Sequence, residues 1–267
     1  MEEHHYLIVD LVNAVLGPVV APVLEALGFH VDPSHPVIPA YMVMVLVVVA
    51  GLTGLSLFVR SRLSVEHPGK LQILMEDGLK ALVGMLEQWI GPKGPRYLPL
   101  VGTLFIFILC SNYLGLVPGF MAPTSSINVT LGCALTIWVY YHVQGIKEQG
   151  LFNYIKHFAL PPGAPLVMAP LMFVIEIISH LSRVMSLSLR LFGNIFGEEL
   201  VIAILFGLVP FVVPLPMMFL GLITGGLQAF IFALLSIIYL QGAVAVEHEH
   251  DEHAHDAPRG HHAPAAA

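Results

Sequence analysis

Between Pro170 and Pro210 the chain runs about 39 residues (171–209) without a proline. As a single helix rising 1.5 Å per residue this stretch is about 58 Å long, nearly twice the roughly 30 Å hydrocarbon thickness of a bilayer. A helix of that length must tilt steeply or bend. The stretch is overwhelmingly apolar, yet it carries Glu176, Arg183, Arg190, Glu198 and Glu199. A charge at the bilayer centre costs roughly 3 to 10 kcal/mol. Arginine cannot escape by losing its proton, because its pKa stays above ~12. The polar stripe of this helix is therefore expected to face protein or an ion path rather than lipid.

Composition sets the class around this segment. Hydrophobic residues make up 57% of the chain and charged residues 11%, where a soluble chain carries roughly 25% charge. The expected fold is an all-α polytopic membrane protein. Most acidic residues behind the net charge of -7 sit in the two tails. Cys110 and Cys133 both fall in apolar segments, so no disulfide framework is implied. The sequence contains no GxxxxGK[ST] phosphate loop, GxGxxG fingerprint or CxxC pair, which argues against nucleotide chemistry on this chain. Neither a cofactor nor a metal is expected.

Residues 1–36 hold Glu2, Glu3, Asp10, Glu25 and Asp32 and no lysine or arginine, unlike the basic start of a secretory signal. Residues 7–27 are mildly apolar and read as a short helix on the membrane surface, broken by Pro18 and Pro22. Residues 38–59 are uncharged and long enough to cross. Over 70–90, Leu71, Leu74, Leu79, Leu82, Leu86 and Trp89 recur at helical spacing, while Glu76, Lys80 and Glu87 gather on another face. That pattern predicts an amphipathic interfacial helix. Further crossings are expected at 97–117, 129–146, 170–210 and 217–244, giving about five. The domains read as an outside segment at 1–36, a membrane domain at 37–246 and a disordered tail at 247–267.

Basic residues sort by side. Arg60, Arg62, Lys70, Lys80, Lys93 and Arg96 lie between the first two crossings, Lys147 and Lys156 between the third and fourth, and Arg259 in the tail. The N-terminus and the turns at 118–128 and 209–216 carry none. The positive-inside rule then puts the N-terminus outside and the C-terminus in the cytoplasm. Arg183 and Arg190 are left within the membrane. Arg183 reads either as an intramembrane charge or as a residue near the inner interface that snorkels.

Glu176, Arg183 and Arg190 are spaced by seven and share one helix face. Asn194 stays near it, and Ser179, Ser182, Ser186, Gly193 and Gly197 make it a narrow groove into which a partner helix fits closely. Glu198 and Glu199 point to other sides. The bland alternative is that both arginines pair with the three glutamates purely for packing, a role that rarely stabilises much.

The run Ser186-Leu187-Ser188-Leu189-Arg190-Leu191-Phe192-Gly193-Asn194, followed by Gly197-Glu198-Glu199-Leu200, resembles the signature of the a subunit of F-type ATP synthases. Asn112-Tyr113-Leu114-Gly115-Leu116-Val117-Pro118 is similar to the end of that family's second span. Pro123-Thr124-Ser125-Ser126-Ile127-Asn128-Val129-Thr130 is similar to its outer turn, and Leu227-Gln228-Ala229-Phe230-Ile231-Phe232 to its last helix. The resemblance covers about residues 38–245. It implies a non-catalytic stator subunit that forms two offset half-channels, loads and unloads the carboxylates of a rotating c-subunit ring, and so drives ATP synthesis elsewhere in the complex. Implied partners are the c ring, the b subunit of the peripheral stalk, membrane lipid and the translocated proton, with no nucleic acid. Arg190 matches the arginine that faces each passing carboxylate. Asn194, Glu199 and Gln228 match positions of the outer half-channel, and Glu176 and Ser179 match positions of the inner one. Arg183 matches a position that is basic in relatives. Some relatives carry histidine where this chain has Gly221 and glycine where it has Glu198, so Glu198 is expected to join Glu199 in the outer half-channel. Ser126 stands where some relatives have aspartate.

A bacterial inner membrane is expected from the lack of a transit peptide. The alternative function is a stand-alone secondary ion transporter, for which internal repeats and broken helices are expected; the sequence shows no repeat. A non-transporting scaffold would leave the buried charges without purpose. The tail holds His248, His250, His253, His255, His261 and His262 among interrupting acidic residues. It reads as a solvated, pH-responsive segment, with metal binding as the alternative.

Overall fold

The structure, a computed structural model, describes residues 7–26, 36–64, 68–117, 119–152, 154, 168–208 and 214–244. Among these residues there are seven α-helices and no strand. They are α1 (Leu7–Ala26), α2 (Ala40–Ser61), α3 (Lys70–Ile90), α4 (Leu98–Leu114), α5 (Ile127–Gln149), α6 (Ala169–Leu208) and α7 (Pro214–Val244). Two 3-10 turns, Gly94–Tyr97 and Pro123–Ser125, lead into α4 and α5. The histidine-rich tail and residues 155–167 and 209–213 lie outside the described residues.

The long proline-free stretch forms one uninterrupted helix of 40 residues, about 60 Å at 1.5 Å per residue. A broken-helix transporter would interrupt it at the polar site. Pro170 in α6 and Pro214 and Pro216 in α7 occupy first turns, where a missing N–H leaves no helical bond unmade. Hence α7 starts at Pro214 rather than at 217. α2, α6, α7 and α4 with its 3-10 lead-in are each long and apolar enough to cross a membrane. α5, the remaining expected crossing, has 23 residues but is more polar. It packs against α6 and α7, so its polar groups meet protein.

One expectation needs correction. Pro18 and Pro22 do not break the N-terminal helix, since α1 runs through both. Two prolines four apart remove bonds on one side of the helix only, which apolar surroundings tolerate when neighbours compensate. Asn13 ties the helix to its neighbour: its side-chain amide donates to Val9 O (3.0 Å) and Ile38 O (3.1 Å), and its carbonyl accepts from Ile38 N (2.9 Å). These bonds clamp α1 to the start of α2, where Val9, Ile38, Val43 and Met44 form a small core.

α3 has the bounds its periodicity predicts. Leu86 and Ile90 seat against Tyr97, Val101 and Ile237 and Leu82 is buried, while Glu76, Lys80 and Glu87 are exposed. The main core joins α4, α5, α6 and α7 around Ile108, Cys133, Ile137, Leu187, Leu191 and Phe232. Both cysteines are free. α6 buries a single stripe, Val184, Leu187, Leu191 and Ile195, at spacings of three and four. Leu181, Met185, Leu189, Phe196, Leu200 and Ile204 on its other sides are exposed. This one-sided burial positions the polar residues described next.

Candidate functional site

Arg190 sits at mid-length on a side of α6 that the described chain does not cover, and it is exposed. Ser186, Gly193 and Asn194 are exposed with it, and nothing lies within 4 Å of the Cβ positions of Gly193 and Gly197. The small-residue groove expected from the sequence is therefore open. Among the described residues no carboxylate pairs with Arg190. The packing alternative, in which both arginines pair with the three glutamates, is not what the fold adopts, because each glutamate is engaged elsewhere.

Glu198 and Glu199 lie at the end of α6 near the Pro123–Ser125 turn. Glu199 Oε1 accepts from Ala122 N at 2.6 Å. Gly115 makes room for it: a Cβ there would lie 2.8 Å from the same oxygen and 2.7 Å from Ala122 Cβ. Glu199 also lines a cavity of about 550 Å³ together with Phe120, Met121, Ile202 and Phe206, and among the described residues it is the only charged one in the lining. Glu198 turns instead to α7, where its Oε2 accepts from Thr224 Oγ1 at 2.9 Å. Its other oxygen occupies the space that a Cβ on residue 221 would need. The glycine at 221 and the glutamate at 198 are thus one steric unit.

Near Arg190, Asn194 Nδ2 donates to Gln228 Oε1 at 2.9 Å, tying α6 to α7. Gln228 is buried, and among the described residues its Nε2 has no hydrogen-bond partner. Asn112 on α4 holds the same region from behind. It donates to Gly225 O (2.9 Å) and accepts from Thr124 Oγ1 (2.7 Å), which joins α4, α7 and the turn. Thr130 and Ser188 bridge α5 and α6 at 3.2 Å.

Glu176, Ser179 and Arg183 lie at the opposite end of α6, the end where Arg96 pairs with Glu148 and where Lys147 closes α5. Glu176 Oε1 is 3.2 Å from His180 Nε2. Arg183 stacks its guanidinium over Tyr239, 5.5 Å from the ring centre. Glu176, Arg183 and Arg190 do not present one straight face. Seven residues fall about 20° short of two full turns, so over two such steps the row rotates. Glu176 and Arg183 are half-buried, whereas Arg190 is exposed.

Sequence reasoning missed Thr224, Asn112, His180, Tyr141, His142 and Tyr154. Only His180 left a local signal, standing four residues from Glu176 on the same helix face. The others meet their partners across helices that the sequence does not pair.

Fold and site together define a polytopic α-helical membrane protein with a polar site on its longest helix. Residues 40–241 match the family described as ATP synthase A chain. The chain is 44% identical over 252 residues to ATP synthase subunit a of Citrifermentans bemidjiense, covering 94% of this chain and 99% of that protein. It is 52% identical over 181 residues to ATP synthase subunit a of Geotalea uraniireducens, covering 68% and 77%. With ATP synthase subunit a of Geobacter sulfurreducens the identity is 49% over 181 residues, again covering 68% and 77%. The chain belongs to this family, the a subunits of the membrane sector of F-type ATP synthases.

Proposed function

We propose that the chain conducts protons through two offset half-channels, one at each end of α6, with Arg190 between them. The observation that carries this reading is the separation of charge along α6. Its carboxylates are held at the two ends by groups other than arginine, while Arg190 is exposed beside an open groove of small residues.

The outer half-channel comprises Glu198, Glu199, Asn194 and Gln228, reached through the cavity beside Glu199. A proton arriving there neutralises a carboxylate of the c-subunit ring. The neutral acid then turns into lipid, which a charged carboxylate could enter only at a cost of several kcal/mol. After nearly a full turn it reaches the inner half-channel at Glu176 and Ser179 and releases its proton. Arg190 favours the ionised carboxylate as it passes and repels a proton leaking directly between the routes. Arg183, on the inner side, adds positive potential that opposes back-flow. Each charge crossing supplies about 2.3 kcal/mol per 100 mV, so several crossings are coupled to each ATP made on other subunits.

The b subunit of the peripheral stalk holds the chain against the ring's torque. The membrane is the bacterial inner membrane, with the N-terminus outside and the C-terminus in the cytoplasm. This orientation follows from the basic residues at the Arg96 and Lys147 end and their absence at the Pro123–Ser125 end. α3 then lies at the cytoplasmic interface. Residues 1–36 form the outer segment, 37–246 the membrane domain and 247–267 the cytoplasmic tail.

The test is Arg190→Ala in the whole complex, reconstituted in vesicles. Proton-driven ATP synthesis is expected to fall below detection, and retained synthesis overturns the reading.

A further inference from the structure

Behind Glu176 lies a group of titratable side chains that the two half-channels do not use. His180, on α6, is buried at 7% exposure although it is ionisable. It bridges two groups: its Nε2 faces Glu176 Oε1 at 3.2 Å, and its Nδ1 meets Tyr141 Oη on α5 at 2.6 Å. Tyr141 is itself 2% exposed, so this is a continuous hydrogen-bond chain from a half-buried carboxylate into the helix bundle. A second pair lies against it in ring contact. The His142 ring centre is 4.8 Å from that of His180 and 4.5 Å from that of Tyr141. His142 Nδ1 meets Tyr154 Oη at 2.6 Å. Tyr154 stands just beyond the end of α5 and is buried; burial pushes its phenol up to about 12, so it stays protonated. Gly145 seats it, because a Cβ there would lie 2.6 Å from the Tyr154 ring.

Packing alone does not account for this choice of residues. A buried histidine bonded at both nitrogens costs desolvation that a leucine would avoid, and the hydroxyls of Tyr141 and Tyr154 are spent on imidazoles rather than on backbone. Among the described residues, Arg183, from α6, and Tyr239, from α7, also stand near the cluster and stack on each other. The guanidinium is the nearby fixed charge.

We propose that His180 is a proton-transfer residue of the inner route, taking protons from Glu176 and passing them toward Tyr141 and the His142–Tyr154 pair at the cytoplasmic end of α5. The proposal rests on the half-channel reading above. In each transfer one proton enters at Nε2 from Glu176 and the proton on Nδ1 leaves to Tyr141 Oη, which gives its own hydroxyl proton to a water molecule on the way to the His142–Tyr154 pair. The imidazole ends as the other tautomer and resets by turning its ring. No electron moves and the charge balances.

The test uses the assembled complex in vesicles, with His180→Ala and His180→Gln. Proton-driven ATP synthesis is measured while the pH on the release side is varied, with and without added imidazole. His180→Ala is expected to slow synthesis about tenfold, less than a full general-acid effect because water in the same route carries part of the flux. It should flatten the dependence on release-side pH and be partly rescued by imidazole. His180→Gln keeps a donor and an acceptor in place and decides the matter if the alanine variant fails to assemble. It should assemble, retaining the c ring, yet run slowly with the same flattened profile. Wild-type rate and profile in both variants overturn the proposal, and so does a loss without change of profile and without rescue, which marks a packing role. Glu199→Gln and Arg190→Ala are run in parallel. If these two retain synthesis, the half-channel reading fails; if they lose it while the His180 variants behave as wild type, only the His180 proposal fails.

Discussion

The two ends of α6 hold their carboxylates by different means. At the Pro123–Ser125 end, two adjacent carboxylates are held by a backbone amide and a threonine hydroxyl, and one of them opens onto a cavity. At the other end a single carboxylate leads into imidazoles and phenols, most of them buried. The first arrangement suits proton capture, since a carboxylate that opens onto a cavity, as Glu199 does, exchanges protons with any solvent the cavity admits. The second suits passage through a close-packed interior, where bifunctional groups hand a proton from one atom to the next. Glycines tune both ends. Gly115 and Gly221 admit carboxylates, and Gly145 admits a tyrosine.

The largest effect that would break this comparison is loss of both outer carboxylates. Glu198→Gln and Glu199→Gln are each expected to slow proton flux, and the double variant to nearly stop it, as measured by ATP-driven acidification of vesicles. Normal flux in the double variant would leave the turn end with no role in capture.

Next comes the exchange between positions 198 and 221. Gly221→His alone places a side chain in the space of the Glu198 carboxylate, an overpacking that costs about 1–3 kcal/mol or more. Complex assembly and flux should both drop. Adding Glu198→Gly to it should recover much of each, because one titratable group then replaces the other in the same space. Failure of the pair to recover would mean that Glu198 is not equivalent in role to a histidine at 221.

The smallest effect is expected at the inner end. Gly145→Ala pushes against the Tyr154 ring, which can shift by rotating its side chain. Flux should fall only a few-fold with assembly intact, and hydrogen exchange should rise at the C-terminal end of α5. An effect as large as that of the outer double variant would mean that Tyr154 anchors the bundle rather than extending a proton route.

Much of the fold was legible in the chain. α3 was bounded by its own periodicity, and the length of α6 by the prolines flanking it. The charge sorting identified the two ends of the bundle before any contact was known. Arg190 stood out because a permanent cation in an apolar run has few explanations. Proline is a local signal and suggests a break in the N-terminal helix, whereas the Asn13 bonds that hold this helix in place reach Ile38 across 25 residues of chain.

Sequence by itself determined which segments are helical and apolar, and which charges lie within them, because helix formation and transfer into lipid depend on residues only a few turns apart. Tertiary structure alone decided the company those charges keep. Glu198 could have faced Arg190, water or α7, and only the packing of α6 on α7 set it over Gly221 beside Thr224. His180 read as one polar residue in an apolar run until α5 brought Tyr141 and His142 against it. Burial, hydrogen-bond partners and open space at a site are properties of neighbouring helices, and the order of residues along one helix does not contain them.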